Sequence, residues 1–175
     1  MKDDILNWVQ GVLTATPSRW LTLTETLPVS LLSRPPEPKE WSALECLQHL
    51  VDTERWIFPV RLQALLAGQD FPAFDPDTQG TRPTASPPPS ELAAEFSGLR
   101  TTSLAMLARI TPADLERRAR HAELGPVTLG ELIHEWAAHD LMHTVQAERA
   151  LMQPFIQDCG PWQPYFADHA VHSAQ

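Results

Sequence analysis

Proline decides where this chain stops propagating helix. There are 17 prolines in 175 residues, roughly twice the average share of ~5%. Proline has no N–H and a fixed φ, so it starts or ends a helix more readily than it continues one. The prolines gather at 34–39 (Arg-Pro-Pro-Glu-Pro-Lys), through 68–89 (ending Thr-Ala-Ser-Pro-Pro-Pro), and at Thr111-Pro112 and Gly125-Pro126. Between these clusters the apolar residues recur at helical spacing. The prolines are therefore read as connectors, not as disorder.

Four main helices follow, near 3–27, 42–67, 88–110 and 128–152. In the first, Ile5, Leu6, Trp8, Val9, Val12 and Leu13 share a face, and Trp20, Leu23 and Leu27 extend it beyond a kink at Pro17. Thr16 fits an N-cap there, with Pro17 at the first helical position. Ser42 and Glu45 form a capping box for the second helix, and Gly68 fits its stop. That helix is apolar around most of its circumference and is expected at the centre of the fold. One stripe differs: Glu45, His49, Asp52, Thr53 and Trp56 line up together. Leu92, Phe96, Leu99, Leu104 and Leu107 carry the third helix. Thr111-Pro112 begins a short helical turn, and 117–127 reads as irregular. Thr128 and Glu131 form a second capping box, opening the fourth helix. Trp162, Tyr165 and Phe166 in the tail suggest a packed C-terminal flap. No strand alternation stands out. The fold class expected is all-α, a four-helix bundle forming one domain over 1–175.

The net charge of −9 argues against a nucleic-acid partner, since phosphate contacts need clustered Lys and Arg. Cys46 and Cys159 are the two cysteines, without a C-x-x-C, so neither a disulfide framework nor a thiolate zinc site follows. Cys46 reads as a small buried residue. The N-terminus has no long apolar run behind it. Neither a signal peptide nor a membrane span is expected, and the cytoplasm is the default location.

His139 and His143 carry the chemistry. Four apart on a helix, they share a face with Cβ atoms roughly 5–6 Å apart and can reach one metal ion. The alternative is a pair of core-edge histidines hydrogen-bonded to neighbours. Gln146 continues their polar flank, whereas His134 falls on the opposite, solvated side. A facing His49 would complete a three-histidine site with positions left for water or substrate. Asp52, one turn after His49, suits either orienting a histidine or accepting a proton, with a plain surface carboxylate as the alternative. Glu54 points elsewhere and is expected in a structural ion pair, for example with Arg61. Trp41 and Trp56, beside His49, read as core. His121, His169 and His172 read as surface histidines. His139-Asp140-x-x-His143 is also close to the H-E-x-x-H pattern of zinc proteases. Asp is shorter than Glu, and the strands expected beside such a helix are missing. Phosphate-binding loops and a nucleophile elbow have no motif here.

Three stretches together resemble the DinB-like (YfiT-type) superfamily of metal-dependent hydrolases and thiol transferases. They are Arg34-Pro35 through Glu45, then Leu47-Gln48-His49-Leu50-Val51-Asp52-Thr53-Glu54, then Leu132-Ile133 through His139-x-x-x-His143-x-x-Gln146. Their order and separation span nearly the whole chain. The resemblance implies a bundle with crossed connections and a divalent metal, zinc or nickel, held by His49, His139 and His143. It also implies homodimers, a small-molecule substrate and, in some members, a low-molecular-weight thiol such as bacillithiol, mycothiol or glutathione. The function expected is metal-dependent thiol transfer or hydrolysis, with Asp52 as the catalytic candidate. A bundle that binds metal or a partner without catalysis is the alternative. The 68–89 loop is expected to border the opening.

Overall fold

The computed structural model describes residues 2–73 and 87–171. Helix α1 spans Lys2–Thr26, and a short α2 spans Val29–Leu32. Helix α3 (Ala43–Trp56) is followed at once by α4 (Phe58–Ala67). Helix α5 covers Pro89–Leu107 and α6 covers Leu129–Asp158. Between α5 and α6 lie a 3-10 turn (Asp114–Glu116) and a hairpin of β1 (Arg118–His121) and β2 (Gly125–Thr128).

Both capping boxes are formed: Ser42 with Glu45 opens α3, and Thr128 with Glu131 opens α6. Gly68, at φ 65°, closes α4 in the left-handed region that its missing Cβ permits. The expected single helix over 42–67 is two helices. Pro59 lies in the first turn of α4; its missing N–H cannot bond back into α3, so the helix breaks at Ile57. Residues 117–127 are not irregular but an antiparallel hairpin, with Arg118 opposite Thr128 and His121 opposite Gly125. Phe71 adds to its edge: its N–H donates to Arg120 O at 3.1 Å, and Ala122 N–H donates to Phe71 O at 3.2 Å. Helix α6 runs past the expected end at Met152, through Pro154. The tail is a 3-10 helix over Gly160–Phe166 whose Trp162 and Tyr165 are exposed, so those rings do not pack as a flap.

Helix α1 packs against α5 and α6, and α3 packs against the same two. The long helices α1 and α3, consecutive apart from the short α2, therefore share partners instead of forming a hairpin, which is a crossed bundle connection. Two apolar clusters fill the bundle. One joins Leu6, Val9 and Leu13 to Phe58, Leu62, Leu107, Ile133 and Trp136. The other joins Trp20 and Leu23 to Leu47, Val51, Leu92, Phe96, Ala147 and Leu151. Each fully buried Leu or Phe contributes about 1.5–3 kcal/mol.

A polar layer lies where the clusters meet: Thr16, Arg100 and Asp140 each fall in sequence between the residues their helix gives to one cluster and to the other, and Glu54 falls between Val51 of α3 and Phe58 of α4. Arg100 of α5, 1% exposed, is its hub. Its Nε donates to Glu54 Oε1 at 2.9 Å and its Nη2 to Glu54 Oε2 at 3.0 Å. The same Nη2 donates to Asp140 Oδ1 at 2.7 Å. Glu54 thus pairs with Arg100 and not with Arg61. Nη1 donates to Leu13 O at 2.9 Å. Leu13 lies four residues before Pro17, so its carbonyl is the one that Pro17 leaves without an N–H. Arg100 supplies the missing donor, and α1 continues through Pro17. Thr16 is consequently no N-cap: it is buried, and its hydroxyl donates to Asp140 Oδ2.

Candidate metal centre

The three histidines lie on the two helices that carry Glu54 and Asp140, and His139 is the neighbour of Asp140 in sequence. His49 projects from α3, and His139 and His143 project from α6, one turn apart. Their candidate ligand atoms all lie within 4.8 Å of one another. His49 Nε2 and His139 Nε2 are 3.1 Å apart. Two nitrogens bound to one tetrahedral zinc at about 2.0–2.1 Å would stand roughly 3.3 Å apart, so the cluster is of the right size for an ion.

The environment favours the neutral, ligand-ready imidazole. Burial pushes His49 down to about 4, helped by His143. Burial pushes His139 down to about 3, helped by His143 and His49 and by the more distant Arg100 and Arg61. His143 is also lowered by burial, against the opposing pull of Gln146 and Asp140. Its Nδ1 lies 2.9 Å from Gln146 Oε1. With that amide oxygen as acceptor, Nδ1 carries the proton and Nε2 keeps a free lone pair for a metal. His139 Nδ1 is buried with no hydrogen-bond partner, one of two such side-chain atoms among the described residues.

Aromatic walls fix the rings. Trp41 stacks on His143 with centroids 5.5 Å apart and planes 18° apart, and meets His49 at 5.0 Å. Phe58, stacked on Trp136 at 5.0 Å, meets His139 edge-on at 5.2 Å. Trp56 is not core: it is about half exposed, with the Arg55 guanidinium 5.9 Å from its ring centroid.

A cavity of about 260 Å³ opens beside the histidines, lined by His49, His139, Thr53, Phe58, Arg61, His121, Glu123 and Glu135, among others. His121 is therefore not a surface histidine but 6% exposed. Asp52 is half-buried and accepts from Gln48 Nε2 at 3.1 Å. Burial raises its carboxyl, partly offset by Gln48 and Arg55. Among the described residues no hydrogen bond joins Asp52 to the three histidines. His134 and His169 are exposed; His172 and positions 74–86 of the 68–89 loop lie outside the described residues.

The sequence matches the family profile of the DinB superfamily over residues 13–147, which includes all three histidines. The chain belongs to the DinB superfamily. Among solved structures, this DinB-superfamily chain is similar to YfiT from Bacillus subtilis, described as a probable metal-dependent hydrolase with an unusual four-helix bundle topology. The TM-score is 0.71 at 20% identity, covering 88% of this chain and 87% of YfiT. That likeness establishes the fold. No curated protein matches the sequence.

Three features in and around the candidate centre of the DinB-superfamily chain escape sequence reading. Arg100 and its carboxylates come from helices far apart in sequence. Arg61 reads locally as a partner for Glu54. His121 lies in a hairpin whose strands are four residues each. The signal available for Arg100 was the Pro17 kink, which required some donor for Leu13 O.

Proposed function

We propose that the chain is a metal-dependent enzyme acting on a small molecule, by hydrolysis or by transfer of a low-molecular-weight thiol. The observation that carries this reading is the convergence of three imidazoles from two helices, two of which, His49 and His139, line a cavity of about 260 Å³. His49, His139 and His143 would hold a divalent ion, with zinc and nickel both suited to imidazole. When bound, such an ion supplies Lewis acidity, polarising a carbonyl or phosphoryl oxygen and acidifying a water or thiol. The protein's own groups do the rest. Gln146 holds the tautomer of His143. Trp41 and Phe58 pack against the rings of His143 and His139 and hold them in place. Asp52, raised by burial, is the proposed proton acceptor, its basicity brought nearer to neutral pH.

Elemental analysis of untagged protein, reloaded with Zn²⁺ or Ni²⁺, tests the centre. One divalent ion per chain is expected, lost in His49→Ala and His143→Ala. Activated esters and electrophiles, assayed with and without added thiol, separate hydrolysis from transfer. Asp52→Asn should lower turnover while keeping the metal. A stoichiometric ion without turnover in either assay would favour a binding bundle, and absence of the ion would end the reading.

A further inference from the structure

The cavity beside the histidines has a second polar feature, and its hydrogen bonds are incompatible with a simple resting pair. His121 Nδ1 receives the main-chain N–H of Glu123 at 3.1 Å and that of Leu124 at 3.3 Å. A nitrogen that accepts from two main-chain donors carries no proton. The imidazole proton therefore sits on Nε2. Yet Nε2 lies 3.2 Å from Arg61 Nη2, which is a donor only. Two N–H groups thus face one another with no acceptor between them. A buried donor without an acceptor is costly, and the two groups share one vacant requirement: an oxygen with lone pairs.

Both donors are held by the fold. Arg61 is 12% exposed and lies on α4, with its guanidinium carbon 5.6 Å from the Phe71 ring centroid. His121 meets the same ring edge-on at 5.5 Å, and Phe71 is bonded to the hairpin edge. The nearest acidic group to Arg61, Glu135 at 4.0 Å from Nη1, is itself half exposed and lies against the other guanidinium nitrogen. Glu123 is exposed as well. Neither supplies an acceptor at the Arg61–His121 junction.

We propose that Arg61 and His121 form an oxyanion-binding pair that takes a carboxylate or phosphate group of the substrate. The assignment deepens the reading of the site as a metal-dependent small-molecule centre and takes its functional meaning from it. His49 and His139 line the same cavity, so an anion held at Arg61 orients the remainder of the molecule along a wall shared with the histidines. A guanidinium suits this task because it offers parallel donors to planar oxyanions.

The test is ¹H–¹⁵N spectroscopy of the histidine rings in ¹⁵N-labelled full-length protein, metal-loaded and metal-free. His121 is expected to carry its proton on Nε2. Propionate and inorganic phosphate, titrated separately, should shift that resonance saturably, and the tighter of the two identifies the oxyanion. Propionamide should leave it unmoved. Arg61→Gln should weaken binding at least tenfold, while Arg61→Lys retains part of it. The metal-free arm excludes a direct bond between carboxylate and metal. A proton on Nδ1, silence toward both anions, or unchanged affinity in Arg61→Gln overturns the proposal. If Arg61→Gln does not fold, the tautomer and the contrast between propionate and propionamide still decide. A protein that binds metal but ignores both anions sinks the subsite alone. A protein that binds no metal yet answers propionate sinks the metal reading and leaves the anion pair standing.

Discussion

Replacing Arg100 with methionine should be among the most damaging single changes in this protein. The substitution keeps much of the side-chain length but removes every donor. Glu54 and Asp140, each 1% exposed at the side chain, would be left buried with no cation beside them. Leu13 O would lose the Arg100 donor that stands in for the N–H that Pro17 lacks. Removing one partner of a buried ion pair costs about 3–5 kcal/mol. Two pairs share this arginine, but Thr16 still donates to Asp140 and Trp136 Nε1 still donates to Glu54 at 3.2 Å. A loss of about 4 kcal/mol is therefore expected, a large part of a typical total of ~5–15 kcal/mol. With m of about 2 kcal/mol/M, the urea midpoint should fall by about 2 M. The thermal midpoint should fall by about 8–16 °C. Removing the charges together, as Arg100→Met with Glu54→Gln and Asp140→Asn, should recover more than half of the loss, because the penalty is uncompensated charge and not missing volume. Urea unfolding by circular dichroism reads all of these. A single-variant loss below about 1 kcal/mol, the value of an exposed pair, would refute the argument. So would a triple variant no more stable than Arg100→Met.

Gln146→Leu should leave the fold intact and weaken metal binding by about 10–100-fold, measured by competition with a chelating dye, because His143 loses the acceptor that fixes its tautomer. The metal-free protein should lose stability on acidification. His49 and His139 titrate lower in the folded chain, at about 4 and about 3, than the usual 6.5. Their contribution is therefore complete above pH 6.5 and is lost as pH falls through the folded values, which urea titrations between pH 7.5 and 4 will follow. Thr128→Ala should cost about 1 kcal/mol by removing the acceptor side of the α6 capping box, readable as a shift in urea midpoint. Cys46, fully buried with its thiol pushed up to about 12 by burial, should resist a disulfide exchange reagent at pH 8 until the protein is denatured, while half-buried Cys159 reacts first.

The starts of α3 and α6 were readable because capping boxes are local: four consecutive residues hold the whole signal. His139 and His143 were readable for the same reason, since one helical turn sets their spacing. That His49 meets them depends on how α3 lies against α6, and only the family resemblance and the polar stripe pointed there. The hairpin escaped because its inward residues in β1 are Ala119 and His121, neither of them among the Val, Ile, Thr, Tyr, Phe and Trp that mark a strand. The break at Ile57 had a visible cause in Pro59, overridden in the sequence reading by an apolar pattern that continues across it. The structural ion pair of Glu54 was anticipated but its partner was not, because helical periodicity offers only near neighbours, whereas Arg100 is 46 positions away.

His139 and Asp140 are adjacent residues facing opposite duties. One backbone step separates a ring at the candidate centre from a carboxylate locked to Arg100. Rotating or fraying this turn of α6 to loosen the histidine would drag Asp140 off its cation, so that motion is coupled to disruption of the buried network. Amide hydrogens around 136–144 should accordingly exchange only through near-global opening. Those of the short hairpin at 118–128, which contributes His121 and Glu123 to the cavity lining, should exchange through smaller openings. On this expectation the cavity edge and the histidine cluster belong to different cooperative units, and the histidine cluster keeps the lifetime of the folded chain while the hairpin opens and closes.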